Sequence, residues 1–386
     1  MYMDNIFLII TSNKFPSGDA GAVRLKAFAD ILLALGYSPY VYCMGETTNF
    51  KEQIIDDIYY CSFRYPNSSL FWRIVGRLLY DKRLKKYIHN MGNIKGILVD
   101  SGKKKRFVFL NRYAHKHDIP LIFDSVEWYS PSEFKWGTKS LAYRHNNDLN
   151  TKIIDSNYKV IAISKYLESN FKSRGIDTIR IPVIMDIQNI TPPQHSKVQS
   201  SKIKIVYAGS IGRKDHIREL IEAIGQLTEI ERERIEFCVM GITKEQYERQ
   251  FGNLKDGFAG QSVLFMGRVS RDTVLEQLGS ADFSFLLRPT EERYAKAGFP
   301  TKVVEGLASG VPILCNYSSD LELYLKDGEN SIIIEGWSAD ACVEALKKVL
   351  SYSREELDRM RVQARITAEE NFDWRLYVDL FEKLIH

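Results

Sequence analysis

Apolar positions come in short runs separated by turn-rich or polar stretches, and these runs alternate with segments of helical periodicity. Ile6–Ile10 reads as a buried strand, followed by a turn-rich stretch over residues 13–21. A helix then begins, because Phe28, Ile31, Leu32 and Leu35 fall at i, i+3, i+4 and i+7 and Gly36 supplies a stop. Ser38–Cys43 resumes as a strand. Further apolar runs at residues 96–99, 120–123, 159–163 and 178–181 alternate with helical or polar stretches, the pattern of a parallel sheet covered on both faces.

A second series starts at residues 203–209, after a polar, proline-containing stretch at 191–202 that reads as a linker. The helix after it places Ile217, Leu220, Ile221 and Ile224 on one face, and strands fit residues 235–240, 263–266, 282–287, 312–315 and 331–334. The fold class is therefore α/β, with two Rossmann-like doubly wound domains: residues 1–190, residues 191–370, and a closing helix at 371–386. Open sheets of this kind bind ligands beyond the carboxyl ends of their strands, so two of them are expected to face a cleft.

Composition narrows the classes. A chain of 386 residues with 45% hydrophobic and 26% charged residues has the profile of a folded protein with room for two domains. No apolar run reaches the roughly 20 residues of a membrane-spanning helix and no secretory leader pattern opens the chain, so a cytoplasmic location is expected. Cys43, Cys61, Cys238, Cys315 and Cys342 are scattered and never form a CxxC pair, which suggests buried free thiols rather than zinc or disulfides. The histidines form no ligand cluster, so no metal is expected. A net charge of +4 without any nucleic-acid-binding signature gives no reason to expect a nucleic-acid partner.

The stretch with most chemistry runs from Arg288-Pro289 to Ile313. A strand ends, a small-residue turn follows at Gly298, Phe299 and Pro300, and a helix starts near Thr301 with Val303, Val304 and Leu307 facing the core. Free amides at a helix start, together with the helix dipole, suit a diphosphate. Glu305, one turn further on, is placed to accept hydrogen bonds from ribose hydroxyls.

These residues resemble the retaining family 4 glycosyltransferases of the GT-B fold, particularly bacterial members that build surface polysaccharides. That family carries a Glu-x7-Glu motif ahead of the small-residue and Gly-x-Pro ending seen here as Ala308-Ser309-Gly310-Val311-Pro312. Glu305 matches the second glutamate, used on the donor ribose, whereas Ala297 stands at the position of the first, which contacts the transferred sugar. The loop at residues 209–214 lies where relatives hold a basic residue on the diphosphate, which makes Arg213 and Lys214 the catalytic candidates, with Ser210 beside the donor. Gly267, Arg268 and Val269 resemble the loop that meets the nucleotide base. Gly18, Asp19, Ala20 and Gly21 resemble the acceptor-side loop, where Arg24 would add charge, and Glu127 follows a strand where relatives place a polar or acidic residue near the reacting sugar. Residues 371–374 and the helix after them look like the family's C-terminal element, which crosses back onto the first domain.

The resemblance implies transfer of a hexose-like sugar, with retention of configuration, from a nucleoside-diphosphate sugar to a saccharide or lipid-linked acceptor in surface polysaccharide biosynthesis. The nucleotide sugar is a substrate, so no cofactor is expected, and cations with the helix start can neutralise the diphosphate without metal. Basic clusters at Arg73, Arg77, Lys82, Arg83, Lys85 and Lys86 and at Lys103, Lys104, Lys105 and Arg106 read as solvated faces or as a surface for an anionic membrane, which would make the protein peripheral on the inner face of the plasma membrane. Three rivals remain: a non-catalytic sugar-nucleotide-binding subunit, suggested by Ala297; a related nucleotide-sugar epimerase; and an NAD-dependent dehydrogenase, for which neither half has the required G-x-G-x-x-G.

Overall fold

The computed structural model describes residues 4–16, 20–44, 52–62, 70–192, 202–209, 214–254 and 262–386, with the side chains of 70–78 and 271 outside the description. The chain forms two compact units, Met1–Asp186 with Asp373–His386, and Ile187–Phe372.

The first unit is built on eight strands: β1 (Ile6–Ile10), β2 (Ser38–Cys43), β3 (Glu52–Ile55), β4 (Ile58–Ser62), β5 (Ile94–Val99), β6 (Leu121–Ser125), β7 (Lys159–Ala162) and β8 (Thr178–Arg180), in the order β3-β4-β2-β1-β5-β6-β7-β8. All pair in parallel except β3, which runs antiparallel to β4. That edge hairpin was not foreseen from the sequence. Its first strand is mostly exposed, and its turn puts Asp56 and Asp57 at φ of 46° and 62°, so neither burial nor a glycine marks it.

The Ala20–Ala34 helix lays Leu25, Phe28, Ile31 and Leu32 against Phe7 and Ile9 of β1. Ala20 and Gly21 are therefore the first residues of that helix rather than the end of a loop. The closing helix Val378–Ile385 joins the same core: Phe381 is fully buried, its ring 5.8 Å from Phe28 and 6.3 Å from Phe7.

The second unit carries six parallel strands: β9 (Ile203–Ala208), β10 (Ile235–Met240), β11 (Val263–Gly267), β12 (Phe283–Leu286), β13 (Ile313–Cys315) and β14 (Ser331–Ile333), ordered β11-β10-β9-β12-β13-β14. Alternate residues feed two cores. Ile205, Tyr207, Phe237 and Val239 pack with Ile217, Leu220, Ile221 and Ile224 on one face, while Val206, Cys238 and Met240 pack with Leu278 and Val311 on the other. Burial on both faces makes these strands near-continuous apolar runs. Asp282, at the start of β12, accepts from Arg354 and Arg361, each at 2.7 Å, and so ties the Arg354–Asn371 helix to the sheet. In each sheet the strand order reverses beside the unit's first strand, between β1 and β5 and between β9 and β12, and such switch points open a crevice at the carboxyl ends of the strands.

Candidate functional site

In the second unit the switch point is lined by charge. β9 carries Tyr207 and ends at Gly209; β12 leads to Arg288; the helix Thr301–Ala308 begins beside them; and Asp215 precedes the helix Ile217–Gln226. Asp215 is buried; its Oδ1 accepts from Arg288 Nε at 2.8 Å, and its Oδ2 accepts from the Tyr207 hydroxyl at 2.9 Å and is ion-paired with Lys302 Nζ. The Lys302 ammonium also donates to the Tyr207 hydroxyl at 2.8 Å and lies 4.0 Å from that ring's centre. Burial works against the Asp215 carboxylate, but Arg288 and Lys302 outweigh it and hold the group well below the usual carboxylate range. Burial lowers the Lys302 ammonium, a shift that Asp215 opposes, and burial together with Asp215 pushes the Tyr207 phenol up.

The helix start is formed by Gly298, Phe299 and Pro300, all buried, and Thr301. Phe299 packs on Tyr324 and Phe372 with ring centres 5.7 and 5.8 Å away, so its side chain anchors the turn and leaves backbone for any ligand. Among the described residues, the Thr301 and Lys302 amides make no backbone hydrogen bond. Glu305 is half-buried one turn on, with its charge felt at Lys302. Ala297 is fully buried at the end of the short helix Arg293–Ala297. Lys214 is half-buried with its ammonium 5.6 Å from the Tyr294 ring centre. Ser210 and Arg213 lie outside the described residues.

Gly267, at φ of 65°, closes β11; its amide donates to the Ile242 carbonyl at 3.0 Å and its own carbonyl accepts from Gly241 at 2.7 Å. Arg268 is exposed, and Val269 is half-buried against the second core. A cavity of about 470 Å³ lined by Arg218, Glu222, Tyr247 and Phe251 lies elsewhere in the unit, on the outer side of the Ile217–Gln226 helix, and contains none of these residues.

In the first unit the switch point holds Thr11, just past β1, which donates to Asp100, just past β5, at 2.6 Å; Asn13 donates to the same carboxylate at 3.0 Å. Burial raises the Asp100 carboxyl to about 6, against the hydrogen bonds from Ser101 and Thr11. Arg106 closes this edge through Asp81 at 2.8 Å and the Ser101 carbonyl at 2.8 Å. Glu127 is half-buried just past β6, and its carbonyl accepts from Asn146 at 3.1 Å and from Asn150 at 3.2 Å, Asn150 lying in a π-helical turn at Leu149–Ile153. Gly18 and Asp19 lie outside the described residues, whereas Ala20 and Gly21 open the first helix.

Arg24 departs from the expectation that it charges the loop. It is 4% exposed and spent on Asp124, to which it donates through Nε at 2.9 Å and NH2 at 2.8 Å, and on the carbonyls of Pro182 and Ile181. Its spacing from Leu25, Phe28 and Leu32 puts it on the buried stripe of its helix, a signal present in the sequence.

Two Rossmann-like units with parallel sheets define the architecture of GT-B glycosyltransferase structures. Residues 191–367, which lie inside the second unit, match the family model of the glycosyl transferases group 1. Three solved structures illustrate the likeness of fold. Sucrose-phosphate synthase from Thermosynechococcus elongatus is 13% identical with a TM-score of 0.71, covering 98% of both chains. HepE from Anabaena, in complex with UDP and glucose, is 14% identical with a TM-score of 0.68, again covering 98% of both chains. WaaG, a glycosyltransferase involved in lipopolysaccharide biosynthesis, is 16% identical with a TM-score of 0.67 over 98% of this chain and 99% of that one. No curated protein matches the sequence.

Proposed function

We propose that the protein is a glycosyltransferase that takes a hexose-like sugar from a nucleoside-diphosphate donor held by the second unit and passes it, with retained configuration, to a saccharide or lipid-linked acceptor recognised by the first. The observation that carries this reading is the family match over residues 191–367, because it falls on the unit whose switch point joins an open helix start to two cations. A fold neighbour with UDP-glucose bound adds support for a nucleotide-sugar partner.

In the proposed reaction the bond from the anomeric carbon to the donor diphosphate breaks, the acceptor oxygen bonds to that carbon, and its proton passes to a phosphate oxygen of the departing nucleoside diphosphate. The protein's part is electrostatic: fixed amides and cations stabilise the charge that grows on the leaving group more than they stabilise the ground state. Lys214 and Arg213 keep their proposed place beside the phosphates, Glu305 on the ribose, residues 267–269 at the base, and Glu127 near the reacting sugar. No cofactor or metal is assigned a step, and surface polysaccharide biosynthesis is the proposed setting. The test is a thermal-shift panel of nucleoside diphosphates and nucleotide sugars: a ligand at 100 times its Kd should stabilise the fold by about 2.7 kcal/mol. No response to any member would count against the reading. Ala297 favours a second reading, a subunit that binds the donor without turning it over, which product formation by the purified chain would eliminate.

The first unit also offers a surface suited to an anionic membrane. Among the described residues no helix is long and apolar enough to cross one. Trp136 and Leu141 are 73% and 82% exposed, with Lys135, Lys139 and Arg144 exposed around them. His145 bonds the Gly102 carbonyl, which sets this segment beside exposed Lys103, Lys104 and Lys105. Indole and leucine in a basic surround suit the headgroup layer. Lys82, Arg83, Lys85 and Lys86 are exposed as well, whereas the side chains of Arg73 and Arg77 lie outside the description. Replacing Lys103, Lys104 and Lys105 together by alanine is expected to weaken binding to phosphatidylglycerol-containing vesicles by about 100-fold, at about 1 kcal/mol per lysine. Unchanged co-sedimentation would remove the membrane from the account.

A further inference from the structure

We infer that Lys302 and Arg288, bridged by Asp215, are the cation pair that takes the donor diphosphate, with Asp215 as the positioning residue that holds both. This rests on the reading that the second unit binds a nucleotide donor, and it deepens that reading with residues that the family resemblance did not single out.

Four observations converge. First, the trio stands at the switch point between β9 and β12, where an open parallel sheet presents its ligand crevice. Second, the directly paired charges do not cancel: one carboxylate, Asp215, is shared by an ammonium and a guanidinium in a largely buried cluster, with Glu305 a weaker influence on Lys302. A buried excess charge is costly unless an anion completes it. Third, donors remain unspent. Arg288 uses Nε on Asp215, and among the described residues its two terminal nitrogens make no hydrogen bond; Lys302 has three N–H groups, of which Asp215 and Tyr207 take two. The side chains are 22% exposed at Lys302 and 13% at Arg288, enough for a ligand to reach them from one side. Fourth, Lys302 is the second residue of its helix, where the dipole opposes a cation, so the position runs against helix preference and needs another reason.

Gly209 belongs to the same device. A Cβ there would lie 2.5 Å from Lys302 Cε and 2.7 Å from Nζ, so the missing side chain lets the ammonium rest against the end of β9, where the backbone meets the phosphate crevice. Asp215 acts through the others. It fixes the planar guanidinium by its Nε edge and leaves the terminal nitrogens unused among the described residues, and its charge opposes the lowering that burial imposes on the Lys302 ammonium. The charged and titratable groups around Lys302 are Asp215, Arg288, Tyr207 and Glu305.

The experiment compares a nucleoside diphosphate with its monophosphate, because only the second phosphate reports on these cations. Calorimetric titration of UDP and UMP, with GDP and GMP, ADP and AMP, and CDP and CMP as the other pairs, should show the wild type preferring its diphosphate by about tenfold or more. That preference is expected to fall to about parity in Lys302→Met and to drop severalfold in Arg288→Lys, with monophosphate affinity unchanged. Arg288→Lys, which keeps the charge and removes only the fork of terminal nitrogens, keeps the test open if Lys302→Met does not fold. In Asp215→Asn the pH above which the preference disappears should move down, since Lys302 then loses its proton sooner, an effect a purely structural carboxylate would not produce. Folded variants that keep the wild-type preference, or an Asp215→Asn profile matching the wild type, would overturn the assignment. A wild type that binds no nucleotide of the panel would instead overturn the proposed function beneath it.

Discussion

Replacing Arg24 by methionine is expected to remove about 3–5 kcal/mol from the stability of the first unit. Both partners of the Arg24–Asp124 pair are buried, at 4% and 2% exposure, and the pair is joined by two parallel hydrogen bonds. The guanidinium also satisfies the Ile181 and Pro182 carbonyls, which follow β8 at the far side of the sheet. Truncating it leaves an uncompensated carboxylate and two carbonyls away from water, and the desolvation cost of those groups, rather than the net worth of the ion pair, sets the size of the effect. The double variant Arg24→Met with Asp124→Leu should therefore be more stable than Arg24→Met alone. Urea unfolding followed by tryptophan fluorescence measures both, and a single variant as stable as the wild type would refute the argument.

The second large effect falls on the proposed donor. If Glu305 takes the ribose hydroxyls, Glu305→Ala removes hydrogen bonds to a charged acceptor worth about 1.5–3 kcal/mol, a rise of about 10- to 150-fold in the Kd of the nucleotide. The loss should be shared by nucleoside diphosphate and monophosphate, because the ribose is common to both; a Lys302 variant should separate them. Glu305 is half-buried on the Thr301–Ala308 helix while Val303, Val304 and Leu307 carry the packing, so the fold should tolerate the change. Equal nucleotide affinity in the wild type and Glu305→Ala would take the carboxylate out of the site.

The strands were legible because a parallel sheet buried on both faces demands unbroken apolar runs: residues 235–240 read as a strand and form β10. The β3–β4 hairpin escaped because an exposed edge strand lacks that demand, and its turn is made by two aspartates rather than a glycine. The helix start at Thr301 was legible from the change of periodicity, and the structure begins the helix at that residue. The Asp215–Arg288–Lys302 cluster was not, since its members stand 73 and 87 positions apart and meet only through the order of the strands. One local clue existed: a lysine in the first turn of a helix, where dipole and cation conflict, calls for a carboxylate from elsewhere. Arg24 shows the opposite error, a charge taken for a ligand group because it follows a glycine loop, although it lies on the same stripe as Leu25 and Phe28.

The second unit is proposed to grip a nucleoside diphosphate at the Thr301 helix start. A crystal structure of the protein with UDP or GDP bound tests it most directly. The diphosphate is expected within hydrogen-bond distance of the Thr301 and Lys302 amides, with the ribose toward Glu305. Nucleotide bound away from that helix start, with Lys302 and Arg288 still turned only to Asp215 and Tyr207, would contradict it.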